Sequence, residues 1–417
     1  MLKKINLNQL RKGMYIQELC TSWMSSPFWQ KSFLIEDNIT IEKIRNAGVE
    51  AMWIDTDKGC DVLAAVEVLE KDQVSTPTPI EVSTSQAVER RVLSEVLSVS
   101  MDAELGRAAK IVGKSKSAVC TMFGEARMGK AIDAEQAMSL VEEIAESVMR
   151  NPGALIGLAR LKTVDDYTYM HSVAVCALMI SLARQLGLSD DVTRELGLAG
   201  LLHDIGKMQI PSAILNKPGK LTDEEFVLVK AHPRHGHQML LEAKEISEIS
   251  LDVCLHHHEK VDGGGYPEAL SGEQISLYAK MGAVCDVYDA ITSNRPYKQG
   301  WCPAESIKKM SEWSKGHFDE KVFQAFVRSI GIYPVGTLVK LQSGRLGVVI
   351  EQQVGKSLLL PKVRAFFSTR SMAFISPVLL DLAGPGNQDK IVSREDASTW
   401  GLKDISRYWL GDAAGQN

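Results

Sequence analysis

The hydrophobic pattern changes its period twice along this chain, and the long segment between the two changes is helical. In AEQAMSLVEEIAESVM, apolar residues recur at positions 137, 138, 140, 141, 144, 145 and 148, which is the stripe of a helix packed on one face. Asp133 with Gln136, and Thr222 with Glu225, have the spacing of helix N-caps. We therefore predict an all-α helical bundle in the centre of the chain, from about residue 87 to 330.

Shorter hydrophobic periods flank this centre. On the N-terminal side, the strand-like runs MYIQEL and EAMWIDT enclose the helical run ITIEKIRNAGV, which predicts a small α/β domain. On the C-terminal side, TLVKL, RLGVVI, KVRAFF and PVLLDL predict short strands, and Ser343 and Gly344 separate the first two as in a hairpin. These strands predict a small β-barrel-like module.

The chain is thus predicted to be multidomain and mainly α. Residues 71–86 are rich in Ser, Thr and Pro and lack apolar periodicity, as in a linker. The predicted order is a small α/β N-terminal domain of unknown role (1–70), the linker (71–86), a helical connector (87–150), an all-α domain (151–332), the β module (333–384) and a C-terminal tail (385–417).

The composition excludes several classes of partner. With 47 basic and 52 acidic residues, the net charge of -5 provides no broad surface for duplex nucleic acid or an anionic membrane. Seven cysteines without a CxxC pair are typical of reduced thiols. The most apolar run, VAVCALMISLA, is too short to span a bilayer. We expect a cytoplasmic protein without a membrane span.

The histidines are confined to one part of the chain. All nine lie between positions 171 and 317, and with nearby carboxylates they recur at intervals of about one helix and its connection. A single histidine on an apolar helix is more often a buried residue with a satisfied hydrogen bond. Several imidazoles and carboxylates buried together would be costly unless a metal ion compensated them. Mixed nitrogen and oxygen ligands suit Fe, Mn or Zn better than Mg or Ca.

The pentapeptide HDIGK, residues 203–207, indicates a pair of metal ions beside a phosphate. His203 can bind one ion, while the adjacent carboxylate of Asp204 can bridge two. Two such ions can clamp a phosphoryl group and generate hydroxide near neutral pH. Lys207 supplies a point charge for phosphate oxygens.

The segment from about 155 to 330 resembles the HD-GYP family of metal-dependent phosphodiesterases, which act on cyclic di-GMP. It carries, in order, His171, HDIGK (203–207), His232, HHE (257–259), DGGGYP (262–267) and CDVYDAITSNRPYK (285–298). The stretches QLRKGMYI and VEAMWIDTDKG are similar to members with an uncharacterised N-terminal domain, from which no function is carried over.

The resemblance implies two divalent ions, Fe or Mn, and a set of seven ligands. These are His171, His203, Asp204, His232, His257, His258 and Asp286. The other histidines, at positions 235, 237, 256 and 317, are interpreted as solvated or supporting residues, and Asp289 as a cap or a supporting hydrogen-bond partner. Some members carry a glutamate four residues before the first histidine ligand, where it can reach a third metal. This chain has Tyr167 there, so we predict a two-metal centre, with Tyr167 as a pocket wall or a hydrogen-bond partner of the substrate.

The resemblance also implies substrate-binding residues. They are Lys207, the signature residues Gly265, Tyr266 and Pro267, and the phosphate-binding pair Arg295 and Lys298. The glycines either let the backbone approach a bulky ligand or simply make a turn. Tyr266 either stacks on guanine or fixes the loop.

The implied activity is hydrolysis of cyclic di-GMP to linear pGpG, and on to GMP by a second turnover. A metal-bridging hydroxide would attack phosphorus in line, with Asp204 and Lys207 as the catalytic residues. Two alternatives remain: an HD-type hydrolase of another nucleotide, or a non-catalytic cyclic di-GMP sensor or interaction module for diguanylate cyclase domains. Turnover ranks first because every ligand position is filled. A homodimer through residues 87–150 is a further expectation.

Overall fold

The computed structural model describes residues 2–19, 32–35, 38–46, 51–60, 97–162, 167–217, 219–293, 300–353 and 355–410. The chain divides into two compact units, Met1–Glu95 and Val96–Asn417. The predicted linker at 71–86 lies outside the described residues.

The first unit contains an antiparallel sheet and one helix. Its strands are β1 (Leu2–Asn6), β2 (Tyr15–Leu19), β3 (Phe33–Leu34) and β4 (Ala51–Asp55), and its helix is α1 (Asn38–Asn46). The sheet order is β1-β4-β2-β3, with all pairs antiparallel. Ile5, Ile16, Ile44 and Met52 are buried in its core. The two strands and the helix predicted from the sequence are confirmed.

The second unit is mainly helical, as predicted. Its helices are α2 (Met101–Arg127), α3 (Ala134–Arg150), α4 (Pro152–Arg160), α5 (Tyr167–Gln185), α6 (Asp190–Leu202), α7 (Ser212–Leu215), α8 (Asp223–Lys230), α9 (His232–Glu242), α10 (Glu248–His256), α11 (Leu277–Thr292), α12 (Pro303–His317) and α13 (Glu320–Ile330). Both predicted caps are confirmed. Asp133 accepts the Gln136 amide at the start of α3, and Thr222 and Glu225 cap α8 reciprocally.

Helix α5 lies at the centre of this unit. Its residues from Met170 to Ala183 are all buried, which accounts for the most apolar run of the sequence. Leu178 and Met179 pack in one core with side chains of α6, α11 and α13, and each such buried side chain contributes roughly 1.5–3 kcal/mol relative to exposure. Among the described residues, no helix has the length and apolar character needed to cross a membrane.

The predicted helical connector packs on the same bundle. Helix α2 contacts α4 and α5, and α3 contacts α6. The buried Glu104 of α2 accepts hydrogen bonds from Ser147 and Arg150 of α3, so the two helices are joined by a buried ion pair. Residues 101–150 are therefore part of the helical bundle rather than a separate arm.

The C-terminal part forms an antiparallel sheet. Its strands are β5 (Leu338–Leu341), β6 (Arg345–Glu351), β7 (Lys362–Ser368), β8 (Ala373–Asp381) and β9 (Ile391–Arg394), in the order β8-β7-β6-β5-β9. The four predicted strands and the hairpin are confirmed. The pairing among the described residues leaves β8 and β9 as edges, so the sheet is open and does not show the predicted barrel-like closure.

Part of the expected C-terminal tail belongs to the folded unit. Strand β9 pairs with β5, and the short helix α14 (Arg407–Leu410) follows it. Trp409 is buried and packs so closely on α4 that a side chain at Gly157 would lie 3.0 Å from its ring. The described fold is thus mainly helical, with an N-terminal domain and a C-terminal sheet.

Candidate metal centre

Five helices converge on one buried cluster of histidines and aspartates. All seven ligands implied by the sequence lie in it: His171 on α5, His203 and Asp204 directly after α6, His232 at the start of α9, His257 and His258 directly after α10, and Asp286 on α11. Helix ends therefore supply most of the cluster, because residues beyond a last turn can point back across the bundle.

One half of the cluster contains His171, His203 and Asp286, whose ligand atoms lie within 4.8 Å of one another. Nε2 of His171 lies 2.9 Å from Oδ1 of Asp286. Nε2 atoms of His171 and His203 each lie 3.4 Å from Oδ2 of Asp204. This group could hold one metal ion.

The other half contains His232, His257 and His258, again within 4.8 Å of one another. Oδ1 of Asp204 lies 3.2 Å from Nε2 of His232 and 3.8 Å from Nε2 of His257. The two oxygens of Asp204 thus face different halves of the cluster. The bridging role of Asp204 stays a prediction.

The chemistry of the donors fits a divalent metal. Nε2 of His203 and Oδ1 of Asp204 are buried and have no hydrogen-bond partner among the described residues, and such atoms are costly to bury without a partner. Nδ1 of three histidines is held by a backbone carbonyl: His203 by Gly200 at 2.8 Å, His232 by Val229 at 2.7 Å and His257 by Cys254 at 3.0 Å. A proton fixed on Nδ1 leaves Nε2 free to bind a metal ion.

The charge states of the cluster also suit metal binding. Burial would raise the pKa of Asp204, but Lys207 and His203 outweigh it and hold this pKa well below its usual range. Burial also opposes ionisation of Asp286, whose pKa His171 nevertheless holds well below its usual range. Burial lowers the pKa of His257 well below its ordinary value and that of His258 to about 3. Among these residues, the carboxylates of Asp204 and Asp286 and the neutral imidazoles of His257 and His258 are in the charge states that bind metal ions.

His171 differs from the other histidines in its hydrogen bond. Its Nδ1 donates to Oδ2 of Asp289 at 2.6 Å, and the ammonium of Lys162 donates to the same oxygen. The sequence pointed to Asp289 through its position one turn after Asp286, whereas nothing in the local pattern identified Lys162. The ring of Tyr167 stacks on the His171 ring, with 5.8 Å between centroids.

The carboxylate of Glu259 holds the glycine-rich loop after α10 by hydrogen bonds. This buried carboxylate accepts the backbone amides of Glu268 at 2.7 Å and Leu270 at 3.1 Å. A Cβ atom on Gly265 would lie 2.4 Å from the backbone nitrogen of Lys260, so the loop folds back too closely for any side chain there.

The signature residues lie beside the histidine cluster. The ring of Tyr266 stacks on that of the candidate ligand His258 with 4.7 Å between centroids, a contact that would fix the loop. The carbonyl of Pro267 accepts a hydrogen bond from Arg234 at 3.2 Å. Burial raises the pKa of the Tyr266 phenol, which therefore stays protonated.

Lys207 lies at the edge of the cluster, partly exposed, and its Nζ atom is 2.5 Å from Oδ2 of Asp204. Gly206 precedes it in a 3₁₀ turn, Ile205–Gln209, where a Cβ atom would lie 2.0 Å from the carbonyl oxygen of His232. This close approach accounts for the glycine of HDIGK. The other predicted phosphate ligands, Arg295 and Lys298, lie outside the described residues.

The remaining histidines make other contacts. His256 pairs with Asp252 at 2.7 Å, His235 is exposed on α9, and His317 stacks on Phe318. His237 is half-buried on α9. None of the four belongs to a metal-capable group among the described residues.

Comparison with known proteins gives two family matches and several relatives. A family described as an HD domain matches residues 140–322, and one described as a domain of unknown function (DUF3391) matches residues 2–137. The chain is 52% identical to a Pseudomonas aeruginosa protein named cyclic di-GMP phosphodiesterase, over 99% of this chain and 96% of that protein.

Two further relatives match shorter parts of the chain. A Xanthomonas campestris response regulator named cyclic di-GMP phosphodiesterase is 40% identical over 35% of this chain and 39% of its own length. A Vibrio cholerae protein named 3'3'-cGAMP-specific phosphodiesterase 1 is 38% identical over 40% of this chain and 38% of its own length.

Proposed function

Because this chain belongs to the HD-GYP phosphodiesterase family, in the form with an N-terminal DUF3391 domain, we propose that it hydrolyses cyclic di-GMP to linear pGpG, with GMP as the product of a second turnover. The observation that carries the proposal is the position of Asp204, whose two oxygens face two separate groups of histidines. The Pseudomonas aeruginosa relative, matched over 96% of its length, carries the name of the same activity.

The proposed cofactor is a pair of divalent ions, Fe or Mn. His171, His203 and Asp286 would hold one ion, and His232, His257 and His258 the other, with Asp204 shared between them. When bound, the ions would supply Lewis acidity at the phosphate and make water ionise near neutral pH. The mixed nitrogen and oxygen donors support Fe or Mn over Mg or Ca.

The side chains around the cluster would bind and orient the phosphodiester. Lys207 is the described cation nearest to Asp204, and its partly exposed ammonium would donate to the phosphate oxygens. Tyr266 and His258 would form one wall of the site, since their rings stack. Arg295 and Lys298 are also proposed to bind phosphate.

Hydrolysis of another cyclic dinucleotide is the second candidate activity. It is favoured by the relatives named 3'3'-cGAMP-specific phosphodiesterases, which are 33–38% identical over 34–42% of this chain. The similarity to the cyclic di-GMP phosphodiesterase is higher and extends over almost the whole chain. We therefore rank cyclic di-GMP first and the non-catalytic sensor last.

The test is a comparison of the two substrates with metal-loaded protein. The chain is purified without oxygen, its metal content is measured, and cyclic di-GMP and 3'3'-cGAMP are each followed by chromatography. We expect faster loss of cyclic di-GMP and accumulation of pGpG. An Asp204→Asn variant, similar in shape but unable to bridge as a carboxylate, should be inactive. Undiminished turnover by the folded variant would refute the mechanism.

The roles of the other domains stay predictions. We propose that residues 151–332 form the catalytic domain. A homodimer through residues 87–150 would be detected by light scattering of the intact chain. Binding to diguanylate cyclase domains would be detected by co-purification of the two intact proteins.

A further inference from the structure

Within the described part of the chain, the buried ion pair of Lys162 and Asp289 contacts His171 and no other histidine of the cluster. Nδ1 of His171 donates to Oδ2 of Asp289 at 2.6 Å, and Lys162 donates to the same carboxylate oxygen. The side chains of Lys162 and Asp289 are 0% and 3% exposed, so both charges are fully removed from water. The three residues come from separate parts of the fold: the turn after α4, helix α5 and helix α11.

We propose that Lys162 and Asp289 form a positioning pair that sets the metal affinity of the His171 half of the cluster and so makes the two halves unequal. The inference rests on the proposed metal centre, but it concerns residues that bind neither metal nor substrate.

The first argument is the difference between the acceptors at Nδ1. His203, His232 and His257 donate to neutral backbone carbonyls. Among these four histidines, His171 alone donates to a carboxylate. A carboxylate at this position fixes the ring orientation and makes the opposite nitrogen a stronger donor to a metal. The half of the cluster that contains His171 should therefore bind its ion more tightly.

The second argument is that Asp289 needs Lys162 to remain in place. Asp204 and Asp286 also lie in contact with His171, so three carboxylates share one buried region. Lys162 offsets this negative charge and donates to Oδ2 of Asp289, the same oxygen to which His171 donates. Breaking a buried ion pair leaves an uncompensated charge, which is strongly destabilising where it occurs. Without Lys162, the carboxylate of Asp289 would turn towards other donors or water, and His171 would lose its fixed orientation.

The third argument is the ring that stacks on His171. Tyr167 and His171 are nearly parallel, with an interplanar angle of 6°. The ammonium of Lys162 lies 5.5 Å from the centroid of the Tyr167 ring, within the range of a cation–π contact. Lys162 therefore touches both groups that orient His171, the carboxylate and the ring.

The experiment measures metal affinity and does not depend on turnover. Lys162→Met removes the charge and keeps a side chain of similar length, while Lys162→Arg keeps the charge. The matched control is Lys280→Met on α11, where a buried lysine lies 3.6 Å from Asp319. Each variant is loaded with Mn²⁺, and the ions retained per chain are measured against rising chelator concentration.

We expect the wild type to release its two ions at two different chelator concentrations. The Lys280→Met variant should release its ions at the same two concentrations as the wild type. Lys162→Met should bind one of the two ions roughly 10- to 100-fold more weakly, the usual cost of losing a residue that supports a metal ligand. Lys162→Arg should retain most of the wild-type affinity for that ion. Unchanged affinity in the folded Lys162→Met variant, or equal weakening of both ions, would overturn the proposal.

A second variant keeps the test decisive if Lys162→Met does not fold. Asp289→Asn preserves the shape of the side chain and should weaken the same ion, whereas unchanged binding of both ions would overturn the proposal. Because no substrate is present, protein that binds two unequal ions but leaves cyclic di-GMP intact would refute the proposed function and leave this inference standing.

Discussion

The ammonium of Lys207 lies 2.5 Å from Oδ2 of Asp204, the oxygen that also faces His171. Asp204 therefore carries contacts to both halves of the histidine cluster and to the cation nearest the expected phosphate. Lys207 remains partly exposed, whereas Asp204 is buried. The pair thus connects the interior of the cluster with the surface from which a substrate would approach.

Replacing Lys207 by Met should reduce hydrolysis and leave the metal content unchanged. The lysine faces the carboxylate and the solvent but is not a metal donor, so its loss removes charge stabilisation at the phosphate, worth roughly 10²- to 10³-fold in rate. Activity and metal per chain are measured on the same sample. Lys217→Met is the control, because Lys217 pairs with Glu225 on the surface at 2.6 Å. Loss of metal from Lys207→Met would show that its role is misassigned.

Tyr167 should take no part in metal binding. Its ring stacks on His171, and a neutral phenol is a poor ligand for a hard divalent ion. Tyr167→Phe keeps the stacked ring, so we expect unchanged metal content. Anomalous diffraction from crystals grown with Mn²⁺ should show two peaks, one on each side of Asp204. A reproducible third peak ligated near Tyr167 would contradict the prediction.

Two adjacent glycines of the loop should differ in their tolerance of a side chain. A Cβ atom on Gly265 would lie 2.4 Å from the backbone of Lys260, whereas on Gly264 it would lie 3.0 Å from the movable carboxylate of Asp262. Gly265→Ala should therefore displace Tyr266 and lower kcat/KM, while Gly264→Ala should remain close to wild type. Equal activity of the two variants would mean that Gly265 only makes a turn.

The stability of the metal-free protein should fall as the pH decreases. Burial lowers the pKa of His258 to about 3, whereas a histidine in an unfolded chain titrates near ~6.5. Between these values the unfolded chain binds a proton that the folded chain does not, so the free energy of unfolding decreases with falling pH, by at most ~1.4 kcal/mol per pH unit for this group. Urea denaturation at pH 6 and pH 4 measures the slope. His258→Gln should have a shallower slope, and an equal slope would contradict this assignment.

The candidate ligand set came from the resemblance to the HD-GYP family, and part of it also has a local signature in the sequence. Paired residues such as His203 and Asp204 stand next to each other, and the N-caps at Asp133 and Thr222 involve residues only three positions apart. Such pairs can be recognised in a single sequence, because both members lie within one helical turn of each other.

The features that sequence reasoning missed depend on contacts between distant residues. Lys162 and Asp289 are 127 positions apart, and neither has a neighbour that marks the ion pair. Strand β9 has four residues, and only its pairing with β5 makes it a strand. It lies within a segment whose polar composition indicated a tail. Both features require the folded chain, because the energy that forms them comes from tertiary contacts.

The most direct test of a two-metal phosphodiesterase is the rate of cyclic di-GMP hydrolysis as Mn²⁺ is titrated into metal-free protein. The two oxygens of Asp204 face two different groups of donors. A single bound ion should therefore fill only one group and leave the two-metal site incomplete. We predict little hydrolysis up to one equivalent of metal and a steep rise between one and two equivalents. Full activity at one equivalent, or no hydrolysis with both ions bound, would contradict the account.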